Sequence, residues 1–254
     1  MLLAIDIGNS SVKFGVFDGA ELVARAALLT EEIRSAGKIE RLADGISGKS
    51  FDGVIVSSVV PEIDPAFVSF FQTYFGIDPI FVDHTSDLGL AIKYDPPTAV
   101  GIDRLVAAAA ASAKYGAPCI VCDFGTATTI DAVNANHEYL GGTITPGIYT
   151  LARSLFQNTS KLPEIEIRRP ASVIGRSTVG SIESGVFYGY IGLVEGILSR
   201  MKVALEHDAQ VIATGGYVSL IAANTRIIDV VDKNLVLQGL CHIYSKMKPA
   251  ILEK

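Results

Sequence analysis

Two segments of this chain end an apolar run in an aspartate. Each continues, two residues later, with glycine and then small hydroxyl or amide side chains. The first is Asp6-Ile7-Gly8-Asn9-Ser10-Ser11 and the second is Asp123-Phe124-Gly125-Thr126-Ala127-Thr128. Glycine at such a turn lets the backbone approach a ligand closely, and Asn, Ser and Thr offer hydrogen bonds. Two such turns facing one cleft would hold a polyphosphate. Asp6 and Asp123 would then stand beside phosphate, which requires a cation between them, Mg²⁺ or a similar ion. Lys13 adds positive charge near the first turn. Taken singly, each segment is also what an ordinary hairpin with a polar tip needs.

Three further segments fit the same chemistry. Gly141-Gly142-Thr-Ile-Thr-Pro146-Gly147 is expected to end a strand and open a helix, with its amides facing an anion. Ala213-Thr214-Gly215-Gly216 ends another strand, where a flat base can lie against bare backbone. Gly101-Ile102-Asp103-Arg104 follows Pro96-Pro97 and opens a helix. Asp103 suits a helix cap, or a carboxylate base accepting a hydroxyl proton while Arg104 holds an anionic group. A relaxed P-loop match at Ala43 to Ser50 has Ala where the strict pattern needs Gly and precedes a strand instead of following one, so it is set aside. There is no GxGxxG fingerprint.

The elements that must position these residues alternate between strand and helix. Strands are expected at Leu2–Ile7, Val12–Phe17 with a tight turn at Asp18-Gly19, Val54–Val60 and Ile80–Val82. Helices are expected at Glu31–Leu42, from an Asp64 cap to Gly76, and at Asp103–Tyr115. The pattern then restarts. Strands are expected at Cys119–Asp123, Thr128–Val133, Tyr139–Gly142 and Val211–Ala213. Helices are expected at Gly147–Gln157, at Gly180–Leu205, and from an Asp232 cap to about Met247. The two aspartate turns align at an offset of 123 − 6 = 117, and Val54-Ile-Val-Ser57-Ser58 loosely matches Val211-Ile-Ala-Thr214-Gly215. A duplicated α/β unit follows, with domains at 1–116 and 117–254 and a last helix free to pack back on the N-terminal domain.

Composition excludes several classes. Of 254 residues 49% are hydrophobic and 19% charged, too apolar for a disordered chain. The net charge of −6 argues against broad nucleic-acid binding. No apolar run reaches membrane-spanning length, and the N-terminal residues lack a basic leader, so a reducing cytoplasm and no membrane are expected. Cys119 and Cys122 have the spacing of a zinc half-site, but lie in a strand-like run without a second pair and are read as core. His84, His137, His207 and His242 share no ligand spacing. Phe67, Phe70, Phe71, Tyr74 and Phe75 form a packing stripe.

Four ordered motifs resemble the type III pantothenate kinase family, over nearly the whole chain. They are Asp6, Ile7, Gly8, Asn9, Ser10, Ser11, Val12 and Lys13; Tyr94-Asp-Pro-Pro97 through Gly101, Ile102, Asp103 and Arg104; Asp123 through Asp131; and Gly141 through Gly147. Ser10 stands where the family usually has Thr, which keeps the hydroxyl. The resemblance implies two duplicated RNase H-like (actin-like ATPase) domains around a nucleotide cleft. It implies ATP-dependent phosphorylation of the primary hydroxyl of pantothenate, the first step of coenzyme A synthesis, in a homodimer. Carried over by residue, Asp6 to Lys13 and Thr126 would bind ATP, with Mg²⁺ accompanying it. Asp103 would be the general base. Tyr94, Gly101, Ile102, Asp103 and Arg104 would bind pantothenate, with Thr178, expected from the other subunit. Asp123 would hold a monovalent cation, K⁺ or NH₄⁺. The alternatives are another small-molecule kinase of the same superfamily, or an ATP-binding transcriptional accessory protein.

Overall fold

The computed structural model describes residues 1–36, 39, 50–205 and 209–252. The P-loop-like residues Ala43 to Lys49, most of the C-terminal part of the helix expected at Glu31–Leu42, and His207 lie outside the described residues. The chain divides into two compact units. The first comprises Met1–Leu90, Tyr94–Ala110 and Asn234–Lys254; the second comprises Ala91–Lys93 and Ala111–Lys233.

In the first unit β1 (Leu2–Ile7), β2 (Ser11–Asp18), β3 (Glu21–Leu29), β4 (Gly53–Ser58) and β5 (Ile80–Phe81) form a sheet in the order β3-β2-β1-β4-β5. β1 is antiparallel to β2 and parallel to β4. A central strand covered on both faces needs apolar residues throughout, which accounts for Leu2 to Ile5 and Ile7. On one face Leu3, Ile5, Ile7, Val54 and Val56 pack with Phe67, Phe70 and Phe71 of α2 (Asp64–Phe75); α1 (Thr30–Ala36) adds Ile33. Phe67, Phe70 and Phe71 of the aromatic stripe are thus core, each buried ring contributing about 1.5–3 kcal/mol, while Phe75 is half-buried against them and Tyr74 is exposed. Asp64 does not cap α2 as expected. Ile63 occupies that position, and the Asp64 carboxylate accepts from Ser58 Oγ at 2.6 Å instead.

In the second unit β6 (Ala91–Ile92), β7 (Cys119–Phe124), β8 (Ala127–Val133), β9 (Glu138–Pro146), β10 (Gln210–Thr214) and β11 (Val230–Val231) form a sheet ordered β11-β10-β7-β8-β9-β6. Read from β9 to β11, order and strand directions repeat those of β3 to β5, with β6 added at the edge. Ile120, Cys122, Phe124 and Ile130 pack against α4 (Ile148–Gln157) and the long α5 (Thr178–Ala204), which buries Ile182, Val186, Tyr190 and Val194. α6 (Val218–Ala222) adds Val218 and Ile221. α3 (Ile102–Tyr115) crosses from the first unit to the second, and α7 (Leu235–Leu252) belongs to the first. Among the described residues no helix is long and apolar enough to cross a membrane.

The sequence reading left five of the described elements unassigned: β3, β6, α6, β11 and a 3₁₀ turn at Pro97–Ala99. β3 is an edge strand with mixed burial, and β6 has two residues, so neither writes a strong periodic pattern. Asp232 is not the cap of α7. It is buried and accepts from Lys114 Nζ at 2.7 Å and Tyr115 Oη at 2.8 Å. The three cysteines are free and buried. Burial pushes the Cys119 thiol up to about 12 and Cys122 further still, so both stay protonated core groups. His84 and His137 are tied to Val100 O and Ser112 Oγ.

Candidate active site

In the first unit β1 delivers Asp6 to its C-terminal end, where it is 5% exposed. Its Cα partners are Lys13 on β2 and Ser57 on β4. Lys13 Nζ lies 3.3 Å from Asp6 Oδ2, while Asp6 Oδ1 is buried without a hydrogen-bond partner. The turn between β1 and β2 is closed by Gly8 N–H donating to Ser11 O at 3.1 Å, and it presents Asn9 and Ser10 to solvent. Thr30, fully buried, straps this turn. Its hydroxyl donates to Gly8 O at 2.6 Å and its amide to Ser10 O at 3.1 Å. Thr30 and Ser57 were missed by sequence reasoning. Thr30 lies far from the motif in the chain, and Ser57 carried only its loose match to Thr214.

The same unit holds Tyr94, half-buried, and Gly101 to Arg104. α3 begins at Ile102, and Asp103 Oδ1 accepts the Arg104 amide at 2.8 Å. The carboxylate folds back over Gly101, where a Cβ would lie 2.5 Å from Oδ1, so any side chain there would displace it. Arg104 is 7% exposed, a burial rarely given to a guanidinium without partners.

In the second unit Asp123 occupies the position on β7 that Asp6 holds on β1, with Thr129 and Thr214 as Cα partners. The hairpin is one residue tighter than the first. Gly125 N–H donates to Ala127 O, and the partner of Asp123 is Thr129, an offset from Lys13 of 129 − 13 = 116. The ungapped alignment of Ser10 and Ser11 with Ala127 and Thr128 is therefore corrected by one residue beyond the turn. Thr126 sits exposed at the tip, its carbonyl accepting from Gly147 N at 3.0 Å and Thr150 Oγ1 at 2.6 Å.

Gly215 has φ +100°, a left-handed conformation that disfavours a side chain. A Cβ there would also meet Asp123 Oδ1 at 2.5 Å. Tyr217 N–H donates to Phe124 O at 3.2 Å, fixing the Thr214–Tyr217 segment beside the hairpin. A cavity of about 480 Å³ lies in this unit, lined by Tyr149, Glu164, Ile165, Glu166, Ile167 and Tyr217. Burial, reinforced by nearby Tyr149, raises the Tyr217 hydroxyl.

The glycine-rich segment after Gly141 behaves differently from expectation. β9 continues to Pro146 and pairs with β8, so Gly141 to Thr145 lie in a sheet ladder rather than a phosphate loop. Only Gly147 precedes a helix. Thr178 is exposed at the first position of α5, behind the cap Ser177, whose Oγ accepts Gly180 N–H at 3.1 Å.

A family model described as type III pantothenate kinase matches residues 2–200. This chain belongs to the type III pantothenate kinase family. Type III pantothenate kinases from Dehalococcoides mccartyi and Solibacter usitatus support the assignment. The first is 45% identical over 253 residues, covering 97% of this chain and 96% of the relative. The second is 42% identical over 255 residues, covering 98% of each. Among solved structures, a protein described as a Baf family transcriptional activator from Campylobacter jejuni superposes with a TM-score of 0.64 at 20% identity, over 97% of this chain and 99% of that one. One described as a 2-dehydro-3-deoxygalactonokinase from Sinorhizobium meliloti gives 0.61 at 15% identity, over 98% and 97%. At these identities they establish the fold, the α/β architecture of sugar kinases and their actin-like relatives. The two sheets of this type III pantothenate kinase family member share one strand order, with β6 added in the second.

Proposed function

We propose that this protein transfers the γ-phosphoryl group of ATP to the primary hydroxyl of pantothenate, forming 4'-phosphopantothenate and committing it to coenzyme A synthesis. The observation that carries the reading is the 45% identity to a type III pantothenate kinase across 97% of the chain. The site geometry agrees with it. Asp6 is a buried carboxylate with an unpartnered oxygen at the end of a central strand, beside a turn with exposed Asn9 and Ser10.

In this reading Asp6 to Lys13 and Thr126 bind the phosphates of ATP. The base lies against Gly215 and Gly216 and reaches toward the cavity that Tyr217, the next residue in the chain, lines with Tyr149. Tyr94, Gly101, Ile102, Asp103 and Arg104 hold pantothenate, whose carboxylate suits the Arg104 guanidinium. Thr178 adds a contact from a second copy of the chain.

The pantothenate hydroxyl oxygen attacks the γ-phosphorus, the bond to the β–γ bridging oxygen breaks, and ADP leaves. The hydroxyl proton passes to the Asp103 carboxylate. Phosphoryl transfer has a loose transition state, so positioning and charge neutralisation dominate. A carboxylate is a weak base toward an alcohol; Asp103 chiefly orients the hydroxyl and takes its proton late. Mg²⁺ accompanying ATP would be held beside Asp6 and would supply positive charge against the charge that develops on the phosphates.

Asp123 is read as the ligand of K⁺ or NH₄⁺. A homodimer is supported by the outward stripe of Gly185, Gly189 and Gly192 on α5, where added Cβ atoms would meet nothing, and by exposed Val173, Ile174 and Val179 nearby. The free cysteines suit a reducing cytoplasm. The halves 1–116 and 117–254 are read as duplicated domains. The test is an ADP-release assay with pantothenate, with mass detection of phosphopantothenate. A substrate panel of sugars and carboxylates that supported faster release would replace this reading with another kinase activity.

A further inference from the structure

Ser57 ends β4 directly beside Asp6. The two are Cα partners on adjacent parallel strands, so their side chains emerge on the same sheet face. Ser57 is fully buried and Asp6 nearly so. Ser57 Oγ and Asp6 Oδ1 have no hydrogen-bond partner among the described residues. The next residue shows that β4 can satisfy a hydroxyl at this end. Ser58 Oγ donates to Asp64 Oδ1 at 2.6 Å and accepts the Val60 amide at 3.2 Å. Buried polar atoms are rarely left unpaired, because each costs desolvation without return. Two such acceptors side by side at the end of a catalytic strand call for a shared donor supplied with the ligand.

Mg²⁺ keeps several of its waters when it binds with a nucleotide. A metal-bound water has its lone pair engaged and donates both protons. Asp6 Oδ1 and Ser57 Oγ are two neighbouring acceptors of matching chemistry. We propose that Ser57 is a positioning residue for the metal: with Asp6 it accepts hydrogen bonds from the water shell of the Mg²⁺ that accompanies ATP. This rests on the kinase reading above, and it assigns to β4 a part that the sequence motifs gave only to the β1–β2 turn. The loose sequence correspondence of Ser57 with Thr214 acquires a physical sense, since each places a hydroxyl residue next to the strand-end aspartate of its unit.

The experiment is Mn²⁺ titration by electron paramagnetic resonance, with ATP present, on wild type, Ser57→Ala, Ser57→Cys and Asp6→Asn, with thermal melts of each. Outer-sphere partners of metals typically matter 10–100-fold in affinity. Ser57→Ala and the near-isosteric Ser57→Cys should each weaken Mn²⁺·ATP binding about tenfold, while metal-free ATP binding in EDTA stays unchanged. Melting should not fall in Ser57→Ala, because only an unpartnered hydroxyl is removed. A folded Ser57→Ala or Ser57→Cys protein with wild-type Mn²⁺·ATP affinity overturns the proposal while leaving the kinase reading intact. Wild-type protein that binds no Mn²⁺·ATP, or an Asp6→Asn protein that binds it unchanged, overturns the nucleotide reading and this proposal together.

Discussion

Asp6 and Ser57 face each other across β1 and β4, and each holds one buried oxygen that no described protein group bonds. A buried group without a hydrogen-bond partner costs about 1–3 kcal/mol. Function therefore has a stability signature here. Removing the hydroxyl should leave the fold as stable or more so, and should impair only metal–nucleotide binding.

Asp103 offers a sharper catalytic test. Its carboxylate rests over Gly101, with Oδ1 held by the Arg104 amide. Asp103→Asn keeps the shape and removes the base. Turnover should fall by about 10²–10⁴-fold, with ATP affinity by calorimetry unchanged. Near-normal turnover in the folded variant would remove Asp103 from the mechanism.

Asp123, wedged beside Gly215, is the predicted seat of the monovalent cation. Rates measured in matched K⁺ and Na⁺ buffers should differ, K⁺ being faster, and Asp123→Ala should abolish the difference. Equal wild-type rates in the two salts would count against this role.

Tyr217 lines the cavity assigned to the base of ATP. Base–aromatic contacts are worth about 1–3 kcal/mol on truncation to alanine. Tyr217→Ala should raise the KM for ATP roughly fivefold or more and leave the KM for pantothenate near wild type. An unchanged ATP KM would move the base elsewhere.

The Asp232 carboxylate, bonded by Lys114 and Tyr115, is structural. Asp232→Ala should destabilise the protein by about 1–3 kcal/mol, read as a lower urea midpoint. An unchanged midpoint would show that the three groups gain nothing from each other.

Tyr190 sets an alkaline limit. Fully buried against Phe124 and hydrogen-bonded to Thr128, it is pushed by burial from about 10 up to about 12. Its folded value is above its unfolded one, so its contribution is complete below pH about 10 and is lost as pH rises toward about 12. Urea midpoints should hold through neutrality and fall across that window, and Tyr190→Phe should flatten the fall.

Much of the fold is legible from residue patterns. β1, β4, β7 and β10 are central strands with near-continuous apolar residues, so their type and position follow from burial on two faces. Edge strands β3 and β6 lack that signal because one side meets solvent or the strand is too short. The caps expected at Asp64 and Asp232 went astray for one reason. An aspartate near a helix start has a local use, but here Ser58, and Lys114 with Tyr115, offered better partners.

The candidate site divides in the same way. Asp6, Gly8, Asp123 and Gly125 are local features, a strand end and a tight turn, and a sequence states them directly. Thr30 over Gly8 and Ser57 beside Asp6 join residues 22 and 51 positions apart (30 − 8 and 57 − 6). The role of Gly141 to Thr145 likewise turned on whether β9 stopped or ran on beside β8. Sequence alone determined the repeated strand–turn–strand units and their aspartates, because these depend on near neighbours in the chain. Only the tertiary structure decided which oxygens are left without partners, because hydrogen-bond satisfaction is a property of groups brought together across the sheet.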